Sequence, residues 1–171
     1  MLEKVISGGQ TGADQAGWRA AKASGIATGG WMPKGFLTLD GPRPEFAEMY
    51  GAREHSSSDW APRTRENIDD SDATWIFTES ETSRGTLLAT SYAEKVGRPV
   101  MLTIVKRGVI VPGRPAKVLD WLERERVKVL NIAGNRESKP PWIGGWVEGY
   151  LFEFFELLKG RGLLLAGESN G

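Results

Sequence analysis

The chain has 171 residues, 40% of them hydrophobic, which suits one domain of ordinary size with a substantial core. Its 22 basic and 22 acidic residues cancel, which argues against a general nucleic-acid binder, because such a protein displaces counterions with a basic excess. With no cysteine and one histidine, His55, disulfides, thiol nucleophiles, iron–sulfur clusters, cysteine-ligated zinc and multi-histidine metal centres are excluded.

The opening MLEKVISGG carries no signal-peptide apolar core, and no apolar run approaches the ~20 residues of a membrane span. A cytoplasmic protein without membrane association is expected. Lys4 to Ser7 reads as a short strand, and Ala13 to Ser24 as a helix with Ala16, Ala20, Ala21 and Ala23 on a small-residue face. Gly25 suits its C-cap. Residues 25 to 60, rich in Gly and Pro, read as irregular. Ser58 or Asp59 can cap a helix running to about Asp70.

Ala73 to Thr78 reads as a buried strand, Leu87 to Val96 as a helix ended by Gly97, and Pro99 to Val105 as a third strand. Helical spacing over Ala116 to Arg126 is followed by a fourth strand, Val127 to Ala133, and a long helix over Trp142 to Lys159. Alternating strands and helices predict an α/β fold, a three-layer sandwich around a mostly parallel sheet. The expected domain spans residues 1–160, with 161–171 as a C-terminal tail.

Open parallel sheets bind ligands beyond the carboxyl ends of their strands. Three such ends lead into turns suited to anions. The first is Gly8-Gly9-Gln10-Thr11-Gly12, where glycine allows close backbone approach and the next helix N-terminus favours negative charge. It has neither the lysine of a P-loop nor the spacing of a dinucleotide fingerprint, and without an anion it is a tight β–α turn. The second, Ser80 to Thr86, offers Ser83, Arg84, Gly85 and Thr86. The third, Asn131 to Ser138, offers Asn131, Arg136 and Ser138, with Lys139 after it. Lys34 adds a cation on the long loop. Arginine grips phosphate bidentately, so the three turns together point to a ligand carrying phosphate or another oxyanion.

Arg63 and Arg65 read either as a solvated helix face or as further cations. Trp31 or Trp142 could stack on a flat heterocycle, whereas Trp121 and Trp146 read as core or subunit-interface residues. His55 lies in a polar stretch, and no G-x-S-x-G nucleophile elbow occurs, so a serine hydrolase is not expected. Asp69, Asp70 and Asp72 point to different faces and make a poor Mg²⁺ site.

Taken together, Ser7 to Asp14, Gly30 to Gly35, Thr64 to Asn67 with Asp70 to Thr74, Ser83 to Thr86, and Leu130 to Gly134 with Arg136 to Ser138 resemble the molybdenum cofactor carrier proteins, a circularly permuted YpsA-like branch of the SLOG superfamily. The resemblance spans residues 4 to 158. It implies a Rossmann-like fold, a homo-oligomer (dimer or tetramer), and binding of molybdopterin in a positively charged surface pocket, with a molybdoenzyme as recipient. A nucleotide is the alternative ligand. The related phosphoribohydrolases carry a catalytic Glu where this chain has Ala89, which favours a carrier over an N-glycosidase. Asp14 or Glu137 could substitute for that carboxylate. Asn135 stands where relatives tend to have Pro, and is expected to loosen the third turn. The remaining alternative is a nucleotide-sensing module.

Overall fold

The apolar runs around Val5, Trp75 and Ile132 lie side by side at the centre of a sheet. The computed structural model describes residues 1–107 and 115–164. In chain order it contains β1 (Lys4–Ser7), α1 (Ala13–Ala23), β2 (Ala27–Met32), a 3₁₀ turn (Lys34–Phe36), β3 (Leu37–Thr38), β4 (Gly41–Pro42), α2 (Phe46–Tyr50), β5 (Ala52–Glu54) and α3 (Trp60–Asp69). There follow β6 (Ala73–Thr78), α4 (Arg84–Val96), β7 (Val100–Ile104), α5 (Pro115–Arg124), β8 (Val129–Gly134) and α6 (Ile143–Gly160).

Six strands form one sheet in the order β5-β2-β1-β8-β6-β7, and every pairing is parallel. Parallel strands need crossover helices, which cover both faces. On one face α1, α5 and α6 enclose a cluster that includes Val5, Trp75, Phe77, Leu130, Ile132, Leu151 and Phe155. On the other, α3 and α4 pack Ile68, Ala89 and Ala93 on Ile76. The fold is therefore α/β, a Rossmann-like three-layer sandwich.

Small residues set the depth of the first helical layer. Gly17 lies over Ile132, and a Cβ there would stand 2.7 Å from the Ile132 side chain. Arg19 Nε pairs with Glu148 at 2.7 Å where α1 meets α6. β6 is buried along its whole length, and Trp75 Nε1 donates to Thr103 Oγ1 at 2.8 Å, so even the indole N–H is satisfied.

Residues 25 to 60 depart from the irregular reading. They supply two sheet strands, a small antiparallel hairpin (β3–β4) and the short α2. β2 contains Gly29 and Gly30, which weaken a strand signal because glycine packs no side chain. Here the missing side chain is the point. Gly30 has φ 129°, and a Cβ on it would overlap the carbonyl oxygen of Ser7. Asn67 completes the fit: its Oδ1 accepts from Trp31 N and its Nδ2 donates to Trp31 O, both at 2.9 Å. Pairing with β1 and β5 overrides weak local propensity.

After α6 the chain returns to the sheet. Leu2 N donates to Leu163 O at 2.9 Å, and Leu163 and Leu164 pack against the core. Of the expected tail, residues 165–171 lie outside the described residues.

Candidate functional site

Because the sheet is parallel and β8 lies between β1 and β6, the turns after all three strands emerge on one edge. Strands are ~4.8 Å apart, so the three ends span ~10 Å. Hydrogen bonds join them directly. Asn135 N donates to Phe77 O at 2.9 Å, Asn135 Oδ1 accepts from Glu79 N at 2.7 Å, and Asn135 O accepts from Ala13 N at 3.1 Å. Glu137 N donates to Thr11 O at 3.2 Å. Asn135 thus fastens the three turns together, contrary to the expected loosening: proline could supply neither the N–H nor the side-chain acceptor.

Glycine is required where these turns press on one another. Gly12 has φ 89°, and a Cβ on it would overlap Asn135 O and stand 2.6 Å from Glu137 N. Gly9, at φ 70°, lies against Met32 and Trp18. The space beside Gly8 is filled by the guanidinium of Arg63, whose Nη1 would overlap a Gly8 Cβ.

Arg63 is the residue that sequence reasoning left undecided. It is 9% exposed, projects from the buried side of α3 with Asn67 and Ile68, and its Nη1 lies 3.3 Å from Asp14 Oδ2. Its Nε is buried with no partner among the described residues. A buried unpaired donor costs about 1–3 kcal/mol, so it calls for an acceptor. The available signal was helical phase, since Arg63 shares its face with Asn67, four residues on. Arg65 instead reaches the Tyr92 ring, 5.7 Å away on α4.

Of the helices that follow β1, β6 and β8, two are closed by the protein's own carboxylates. Asp14, in the first turn of α1, accepts from Gln10 N at 3.3 Å and from Arg63. Burial pushes its carboxyl up, against the opposing pull of Arg63 and of the Gln10 and Gly134 amides. Glu137 closes α6: its carboxylate accepts from the backbone N–H groups of Ser138, Trp142, Ile143 and Gly144 at 2.8–3.1 Å. Burial acts to raise its pKa, but these four donors prevail and hold it below the usual carboxylate range. The start of α4, after β6, has no acidic residue in its first turn and is capped by a hydroxyl. Ser83 Oγ accepts from Thr86 N at 3.3 Å, and the Gly85 Cβ position is open.

The structure sorts the sequence-derived candidates. Arg84, Gly85 and Arg136 are exposed, and Ser83 and Ser138 half-buried, on the β6–β8 side of the edge. Lys34 is exposed just beyond the end of β2, next to β1. The amides of Gly9 and Gly12 have no hydrogen-bond partner among the described residues. Gln10, Thr11 and Thr86 are buried and bonded within the protein. Gln10 Oε1 accepts from Thr11 N and from Leu39 N of the β3–β4 hairpin, and Thr86 Oγ1 meets Thr78 and Ser83 hydroxyls.

Asn131 is not at the edge. It lies within the sheet, in register with Thr74, and donates to its hydroxyl at 3.2 Å. Trp31 is held by Asp70, at 2.9 Å from its indole nitrogen, and lies under Arg53. Trp142 packs on the core. Ala89 is buried in the α3–α4 layer. Among the described residues no cluster of acidic and histidine side chains could hold a metal ion, and no helix is long and apolar enough to cross a membrane.

Comparison with known proteins places this geometry. No curated protein matches the chain. A crystal structure of a "Putative molybdenum carrier protein" from Syntrophus aciditrophicus SB is 36% identical, with TM-score 0.80 over 90% of this chain and 94% of that one. A family model, the circularly permutated YpsA SLOG family, matches residues 5–155. The chain belongs to that family.

Proposed function

We propose that the protein binds an anionic, phosphate-bearing small molecule across the carboxyl edge of its sheet, and that this ligand is molybdopterin, held for storage or transfer. The observation that carries the reading is the meeting of three hydrogen-bonded turns with a buried, incompletely paired arginine above Gly8. The carrier assignment draws on the structural neighbour.

The amides of Gly9, Gly12 and Gly85 and the hydroxyl of Ser83 donate to oxyanions. Arg63, Arg84, Arg136 and Lys34 supply positive charge, and Ser138 adds a hydrogen bond. Gln10, Thr11, Thr86 and Asn131 shape the edge from within. A carrier needs affinity and no general acid, which suits a site whose carboxylates Asp14 and Glu137 are engaged by the protein itself. The working form is a cytoplasmic homo-oligomer that delivers cofactor to a molybdoenzyme.

The test is purification from a host that makes molybdenum cofactor, followed by assay of pterin and molybdenum per chain. Stoichiometric pterin is expected, and Arg136→Ala should weaken binding by about 1.5–3 kcal/mol, the scale of a hydrogen bond to a charged group. Folded protein that neither carries pterin nor takes up added cofactor would refute the carrier reading. Release of adenine from AMP would establish the N-glycosidase instead.

A further inference from the structure

Trp60 opens α3, one turn before Arg63, and is 40% exposed. The Arg63 guanidinium carbon lies 5.6 Å from its ring centroid, while the same guanidinium covers Gly8. Trp60 is therefore tied by one side chain to the first oxyanion turn. Leu39, 50% exposed on the β3–β4 hairpin, is tied to the same turn, its amide held by Gln10 Oε1 at 3.0 Å. Two exposed apolar residues are thus each linked to the first glycine turn, Trp60 through the buried Arg63 and Leu39 through Gln10.

An indole left this exposed costs apolar hydration and contributes little to the core, yet it presents a broad π-face beside a phosphate-seeking cation. The tryptophans expected from the sequence are less available: Trp31 is half-buried, with Arg53 4.0 Å from its ring centroid and its indole N–H held by Asp70, and Trp142 is packed on the core, whereas Arg63 stands farther from the exposed Trp60 ring. From this juxtaposition we infer that Trp60 is the stacking platform of the site: with a phosphate on Arg63, the fused heteroaromatic ring of the same ligand lies on the indole, and Leu39 borders it. The inference rests on the anion-binding reading and adds to it the class of molecule selected, a planar heterocycle joined to a phosphate.

The test compares ring-bearing and ring-free probes by calorimetry: a pterin phosphate and AMP against ribose 5-phosphate and inorganic pyrophosphate. Trp60→Ala is expected to lose about tenfold or more in affinity for whichever ring-bearing probe binds, the usual scale for loss of a stacking aromatic, with ring-free probes unchanged. Trp60→Phe should keep most of the affinity, which separates stacking from misfolding. Arg63→Gln should weaken every phosphate probe. Equal affinity of wild type and Trp60→Ala for the ring-bearing probes would overturn the platform while leaving the anion site standing. Wild-type protein that binds none of the four probes would overturn both.

Discussion

Two carboxylates at the same edge respond to pH in opposite directions. Glu137 is held below the usual range, so its stabilising contribution is complete above the ordinary carboxylate value and is lost as pH falls through the lowered one. Asp14 is pushed up by burial, so the folded chain binds its proton more tightly than the unfolded chain. Its contribution weakens as pH rises from the ordinary value to the raised one, and is level above that. Glu137→Gln should cost about 1–2 kcal/mol near neutral pH, since a neutral amide replaces a charged acceptor of four N–H groups. The cost should shrink as the solution is acidified through the lowered value. Urea unfolding of both proteins across the acid range checks this, and a constant difference would count against the assignment. From sequence, Arg136 and Glu137 stood out as neighbours in a polar turn, but their division of labour did not. That Glu137 turns inward to cap α6 depends on where that helix begins in space.

The helices α1 and α6 show how context decides the sign of a glycine substitution. Gly17 faces Ile132 with no room for a Cβ. Gly17→Ala gains about 1 kcal/mol of helix propensity but forces α1 off the sheet, and overpacking of this kind costs about 1–3 kcal/mol. A net loss of about 1 kcal/mol is expected. Gly149, in the middle of α6, is exposed with nothing near its Cβ position. Gly149→Ala should stabilise by about 0.5–1 kcal/mol. Thermal melts of the two variants should shift in opposite directions. Strands β1, β6 and β7 and the helices α1, α4, α5 and α6 were legible within a few residues, because apolar runs bounded by Gly and polar turns are local signals. β2 and β5 were not. β2 carries two glycines whose value is close approach to β1, and β5 has three residues, one of them buried. Both are strands by virtue of their neighbours.

At the scale of the whole molecule, strand order turns three separate turns into one surface. The alternation of elements in the sequence implied a parallel sheet and so a shared edge. It did not place β8 between β1 and β6, and that placement lets Asn135 join all three turns. Nor could it show that α3 reaches over Gly8 with Arg63, a contact 49 residues from Asp14 in the chain. Asp14 and Glu137 close two helix ends from within, and in the proposed reading the amides of Gly9 and Gly12, the α4 start and the cations are left for a ligand. The measurement that tests this most directly is amide chemical-shift mapping during titration with a phosphate-bearing pterin. The account predicts that the largest shifts fall on Gly9, Gly12, Arg84, Gly85 and Arg136, with the Trp60 indole N–H moving alongside. Saturable shifts centred elsewhere, such as on the exposed face of α6 around Gly145 and Gly149, or no shifts at millimolar ligand, would contradict it.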